Sequence, residues 1–96
     1  MSAAARCVHL VLGADAGALE ACLAHRLDGE PVVLAGPGAA QLPRLADDAP
    51  AWLHAVAADV EARGLAPWAH AAAGGLLSDA EWARLVLAHE QSLSWA

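Results

Sequence analysis

Residues 6–12 read Arg-Cys-Val-His-Leu-Val-Leu and stop at Gly13. Apolar side chains occupy both alternating sets of positions, so both faces of this stretch are to be buried, as in a strand inside a parallel sheet. Gly13-Ala14-Asp15-Ala16-Gly17 follows as a turn, with Asp15 placed to cap the next helix. Over residues 16–27, Leu19, Cys22, Leu23 and Leu27 recur at spacings of three and four, which makes one helical face apolar. Asp28-Gly29-Glu30-Pro31 ends that helix. Residues 31–35, Pro-Val-Val-Leu-Ala, form a second short apolar strand closed by Gly36-Pro37-Gly38. Strand, helix and strand within about 30 residues make a βαβ unit, whose crossover is right-handed.

The middle of the chain carries a weaker pattern. Residues 39–46 suggest a weak helix interrupted by Pro43. Residues 51–63 permit two readings. One is an alanine-rich helix, by propensity. The other is a strand over 52–57 followed by a short helix over 59–63, because Trp52, His54 and Val56 alternate with Leu53, Ala55 and Ala57. Residues 67–77 are rich in Ala and Gly and nearly silent. The last pattern is the clearest. Ser78-Asp79-Ala80-Glu81 is a capping box, and Trp82, Leu85, Val86 and His89 continue along one face, so a helix is expected from Asp79 to about Glu90.

Composition narrows the class. A chain of 96 residues, 58% apolar, makes one small domain and excludes a disordered polymer. Its 27 Ala and 15 Leu, with no Phe, Tyr, Ile, Thr, Asn or Lys, furnish a core of small side chains. A domain of this size buries only about 60–65% of its unfolded surface. The expectation is a marginal monomer that leans on a partner subunit. Five Arg are scattered among eleven carboxylates for a net charge of −6, without the basic stripe of a nucleic-acid binder, so direct nucleic-acid binding is not expected. Two cysteines make no secreted disulfide framework and suit a reduced cytosol. The longest apolar run, residues 71–77, is far short of the ~20 residues that cross a bilayer. Residues 1–11 lack a leader pattern. A cytoplasmic protein without membrane contact is expected.

The order of several blocks resembles a known family. Ala18-Leu19-Glu20-Ala21-Cys22-Leu23, the Gly29 break, the strand at 31–35 and Gly38 form the first block. Val60-Glu61-Ala62-Arg63-Gly64-Leu65 forms the second, and Trp82-Ala83-Arg84-Leu85-Val86, His89 and Leu93-Ser94-Trp95 form the third. Together, over nearly the whole chain and with His9 on the first strand, they resemble the DsrH/TusB family of small sulfur-relay subunits. The resemblance implies an α/β fold of DsrE-like, Rossmann-like type, a single domain with a mostly parallel sheet flanked by helices. It implies assembly with DsrE/TusD-like and DsrF/TusC-like subunits into a dimer of heterotrimers that passes persulfide sulfur to a downstream acceptor protein. In one branch the sulfur ends in 2-thiouridine at the tRNA wobble position; in the other it serves dissimilatory sulfur oxidation. The resemblance also selects the strand at 52–57 and draws a fourth strand from residues 70–77. The turns depart from the family, with Ala14-Asp15 where Ser-Pro is common and Pro37-Gly38 where Asp-Gly is common.

Cys22 is the candidate catalytic residue, a persulfide carrier. A thiolate must attack the sulfane sulfur, and His25 and Arg26, at i+3 and i+4, would favour it. The competing reading puts Cys22 on the apolar stripe with Leu19 and Leu23 as a small core residue. In the family the main catalytic cysteine is on the DsrE/TusD partner, which implies an accessory role here. Cys7, mid-strand among apolar neighbours, reads as inert. The spacing of His9, His25, His54, His70 and His89 contains no metal motif, and no metal or cofactor is expected. Gly13-x-x-x-Gly17 is not a phosphate-loop motif, and Asp15 would repel a phosphate. A small-ligand or nucleotide-binding α/β domain stands as a further alternative, by fold analogy. Trp82 reads as core of the last helix, whereas Trp95, with Leu93, is read as a subunit-interface anchor.

Overall fold

A computed structural model describes residues 6–45 and 50–96. Its elements are β1 (Cys7–Val11), α1 (Ala16–His25), β2 (Val32–Leu34), a 3₁₀ helix (Gly36–Gln41) running into α2 (Leu42–Leu45), β3 (Leu53–Val56), α3 (Ala57–Ala62), a second 3₁₀ helix (Ala66–Ala71), β4 (Gly75–Leu77), α4 (Asp79–Leu87) and β5 (Gln91–Trp95). The five strands form one sheet in the order β4-β3-β2-β1-β5, with every pair parallel. The architecture is therefore α/β with helices on both faces.

Chain direction explains how the helices are shared out. From β1 to β4 the chain steps one way across the sheet; from β4 to β5 it returns past β1. Right-handed crossovers then place α1, α2 and α3 on one face and α4 on the other. Two buried clusters follow this division. Val11, Val32, Leu34, Leu53 and Ala55 pack with Leu19, Cys22, Leu42 and Val60. Val8, Val33, Ala35 and Val56 pack under Trp82, Leu85 and Val86 of α4. The alternation of these sets along β1 to β3 is why those strands read as apolar on both faces.

Several expected boundaries move. The first helix ends at His25, two residues before Leu27, because the chain turns extended at Arg26, and Leu27 is left 69% exposed. Asp15 stands at the cap position but makes no side-chain capping bond. The weak helix expected over 39–46 is a 3₁₀ helix continued by α2, with Pro43 second in α2, where a missing N–H costs no helical bond. Its last residue, Ala46, lies outside the described residues, as do residues 1–5 at the chain start. Of the two readings of 51–63 the strand holds: Leu53 pairs with Val32, His54 with Val33 and Ala55 with Leu34. Burial on both sides of the sheet outweighs the helical preference of alanine here. Trp82 is half-buried, because α4 alone covers its face and has no fully buried residue.

The largest correction is at the end of the chain. The last helix stops at Leu87 rather than near Glu90, and Gln91–Trp95, expected as no element, is β5. It pairs with all of β1, Cys7 opposite Gln91, His9 opposite Leu93 and Val11 opposite Trp95. Four of its five residues are exposed, so it lacks the apolar run that revealed β1.

The capping box forms as expected. Ser78 Oγ accepts the Glu81 N–H at 3.1 Å, and the Glu81 carboxylate accepts the Ser78 N–H at 2.9 Å. Ser78→Ala is expected to cost about 1 kcal/mol in chemical denaturation, with Ser78→Asp retaining most of it.

Candidate functional site

His9, 1% exposed, is hydrogen-bonded through both ring nitrogens to side chains far away in the chain. β1 directs it to the face covered by α1. Its Nε2 lies 2.9 Å from Glu30 Oε1, and the Trp95 Nε1–H donates to its Nδ1 at 3.1 Å. Three distant parts of the chain thus meet on one ring: β1, the turn before β2, and the end of β5.

Local structure aims Glu30. The chain reverses through Leu27-Asp28-Gly29-Glu30, with the Glu30 N–H donating to the Leu27 carbonyl at 3.1 Å. Gly29 has φ 85°, a left-handed conformation that glycine adopts without a Cβ clash. The Leu27 N–H returns a bond to Glu30 Oε1 at 2.8 Å, and Arg26 Nε donates to the Glu30 carbonyl at 2.6 Å. Burial pushes the Glu30 carboxyl upward. The His9 hydrogen bond, the Leu27 N–H and the Arg26 charge outweigh that effect and hold it below its ordinary value.

The geometry determines the His9 tautomer. An indole N–H can only donate, so Nδ1 must be the acceptor. The proton of the neutral ring is then on Nε2, where it donates to the Glu30 carboxylate. The donor atoms of Cys7, His9 and Glu30 fall within 4.8 Å of one another, close enough to consider a metal. The hydrogen bonds argue against one. A metal on Nε2 would drive the proton to Nδ1, against the Trp95 N–H, whereas a metal-binding histidine ordinarily donates from its second nitrogen to an acceptor. The cluster is a buried hydrogen-bond relay.

Cys22 is fully buried in the α1-side core. Burial pushes its thiol up to about 11, the Arg26 charge pulls it down only partly, and Cys7 and Glu30 push it up further. At neutral pH a thiol with that value is a thiolate on the order of once in ten thousand. The expected cationic helpers are engaged elsewhere. The Arg26 guanidinium sits 3.6 Å from the centre of the Trp52 ring, and His25 Nδ1–H donates to the Ala21 carbonyl at 2.9 Å while its ring lies 5.1 Å from that of Trp95. Cys7 opens β1 rather than lying mid-strand. It too is buried, and desolvation and the Glu30 charge raise its thiol. Neither cysteine is in a disulfide.

Trp95 is half-buried and packs against the core of its own chain as well as on His9, whereas Leu93 is 42% exposed. β5 is an edge strand, and Gln91-Ser92-Leu93-Ser94-Trp95 contains neither a charge nor a proline to guard its outer rim.

The loop after β1 turns the carbonyls of Gly13, Ala14 and Asp15 toward Gln41 and Arg44. Fully buried Gln41 donates from Nε2 to the Gly13 and Asp15 carbonyls, and its own Oε1 accepts from Arg44 at 2.8 Å. A phosphate cradle needs the opposite polarity. His54 lies on β3 with a buried Nδ1 that has no partner among the described residues, and burial lowers its tendency to protonate.

Sequence reasoning missed Glu30 and Gln41 as organising residues. The only hint at Glu30 is a charge directly before the apolar strand at Pro31. Comparison with family models, with curated proteins and with solved structures returned no match.

Proposed function

We propose that this chain is an accessory, non-catalytic subunit of a sulfurtransferase complex of the DsrH/TusB type, relaying persulfide sulfur toward 2-thiolation of the tRNA wobble uridine. The class rests on the ordered resemblance of the three sequence blocks. The accessory role rests on one structural observation: both thiols are buried, with values raised above those of a free cysteine. A subunit of this kind brings a surface to the complex, while the reactive cysteine belongs to the DsrE/TusD-like partner. The open rim of β5, with Leu93 exposed and no guarding charge, supports such a contact. The all-parallel sheet is compatible with the expected fold. No described helix is long and apolar enough to cross a membrane.

The test is co-expression with DsrE/TusD-like and DsrF/TusC-like subunits. A stable heteromeric complex is expected, weakened at least tenfold by Leu93→Asp; a chain that stays monomeric beside both partners overturns the proposal. Incubating the isolated chain with a persulfide donor and weighing it intact separates the two roles of Cys22. The expected result is no added sulfur atom. A gain abolished by Cys22→Ser would instead make Cys22 a carrier, as in the sulfur-oxidation branch.

A further inference from the structure

We propose that His9 is an acid-operated latch on the Trp95 side chain at the end of the C-terminal strand. The neutral ring serves two partners that need opposite things of it: Glu30 takes a proton from Nε2, and Trp95 gives one to Nδ1. Protonation leaves the Glu30 side intact, since Nε2–H still faces a carboxylate. It reverses the other side. Nδ1 then carries a proton against an indole N–H that has no lone pair to offer. With His9 only 1% exposed, little room or water is at hand to relieve that opposition. The indole must turn away.

The titratable and charged groups around the contact come from three parts of the chain. From β1 comes Cys7, from the turn before β2 Glu30, and from α1 and its end Cys22, His25 and Arg26. Glu30 accepts from His9 and Leu27, both on Oε1. β5 brings no titratable group of its own. The β5 backbone remains held, because the Leu12 and Gly13 N–H groups donate to the Trp95 carbonyl at 2.8 and 3.2 Å. Acid therefore frees a side chain without detaching the strand, and a large apolar ring becomes available beside exposed Leu93 on the open rim. A partner bound through that rim would be sensitive to pH through His9.

The experiment follows the four indole N–H signals of the ¹⁵N-labelled full chain by NMR as the pH is lowered stepwise through the protonation of the His9 ring, with Trp95→Phe assigning the Trp95 signal. The Trp95 signal is expected to move to the position of a solvent-exposed indole with the same midpoint as the His9 ring, while the other three hold. The movement should vanish in His9→Gln, whose amide keeps a donor and an acceptor but does not titrate. It should persist in His25→Gln. A Trp95 signal that stays put while His9 titrates, or that follows His25, overturns the latch. A measurement on the unaltered protein covers the case in which His9→Gln does not fold: long-range ¹H–¹⁵N correlations of the His9 ring at neutral pH must show the proton on Nε2, and a proton on Nδ1 overturns the proposal.

Discussion

Replacing Gly38 by alanine should destabilise this protein by about 3 kcal/mol, because an added methyl group would occupy space already held by backbone. A Cβ at residue 38 would fall on the Val11 carbonyl oxygen. That oxygen accepts the Ala35 N–H at 3.1 Å and closes the β1–β2 ladder. Backbone cannot swing aside as a flexible side chain can, so either the rung opens or the 3₁₀ helix Gly36–Gln41 lifts. Lifting it would draw Gln41 away from the Gly13 and Asp15 carbonyls and loosen the loop after β1 as well. Thermal unfolding followed by circular dichroism should show a midpoint lower by about 15 °C for a chain of this size. Gly17→Ala is the control. Its Cβ would meet nothing closer than Asp15 Oδ2 at 3.7 Å, and inside α1 alanine should raise stability by about 0.5–1 kcal/mol. Equal behaviour of the two variants would refute the close approach at residue 38.

Glu30→Ala should cost a comparable amount, about 3 kcal/mol, because it strands two donors, the His9 Nε2–H and the Leu27 N–H. Both donors end on Oε1, so Glu30→Gln, with its carbonyl oxygen in that place, keeps an acceptor for both and should recover part of the loss, separating hydrogen bonding from charge. The pH dependence has a definite sign. The folded protein holds this carboxyl below its ordinary 4.5. Its contribution is therefore complete above that ordinary value and is lost as pH falls through the depressed folded one. Denaturant titrations at several pH values should show the gap between parent and Glu30→Ala narrowing in that acid window. A gap that is constant down to the most acid point would mean that the carboxylate charge adds nothing.

The residues differ in how openly they declared these roles. β1 and β2 were legible because a strand buried on both faces needs apolar residues at both alternating sets of positions, and Cys7 to Val11, but for His9, and Val32 to Leu34 have them. The start of α4 was legible because Ser78 and Glu81 satisfy each other within one turn. β5 was not, since an edge strand with exposed alternate residues has no such pattern and borrows its order from β1. The expected helpers of Cys22 were drawn from helical spacing alone. Spacing does not show that Arg26 has a tryptophan face and a carbonyl to occupy it. Trp95 was read as an anchor for another subunit, and half of it is taken up by its own core and by His9.

By itself, the order of residues determined the first strand-helix-strand unit, the α/β class and the Ser78 cap, since each depends on neighbours a few positions away. Only the tertiary structure decided that His9, Glu30 and Trp95 share a single proton arrangement, and that Cys22 faces inward with its charge suppressed. Those outcomes depend on which strands lie side by side and on how far water is excluded between them. Such quantities arise when crossovers bring residues 21 and 86 positions apart into contact.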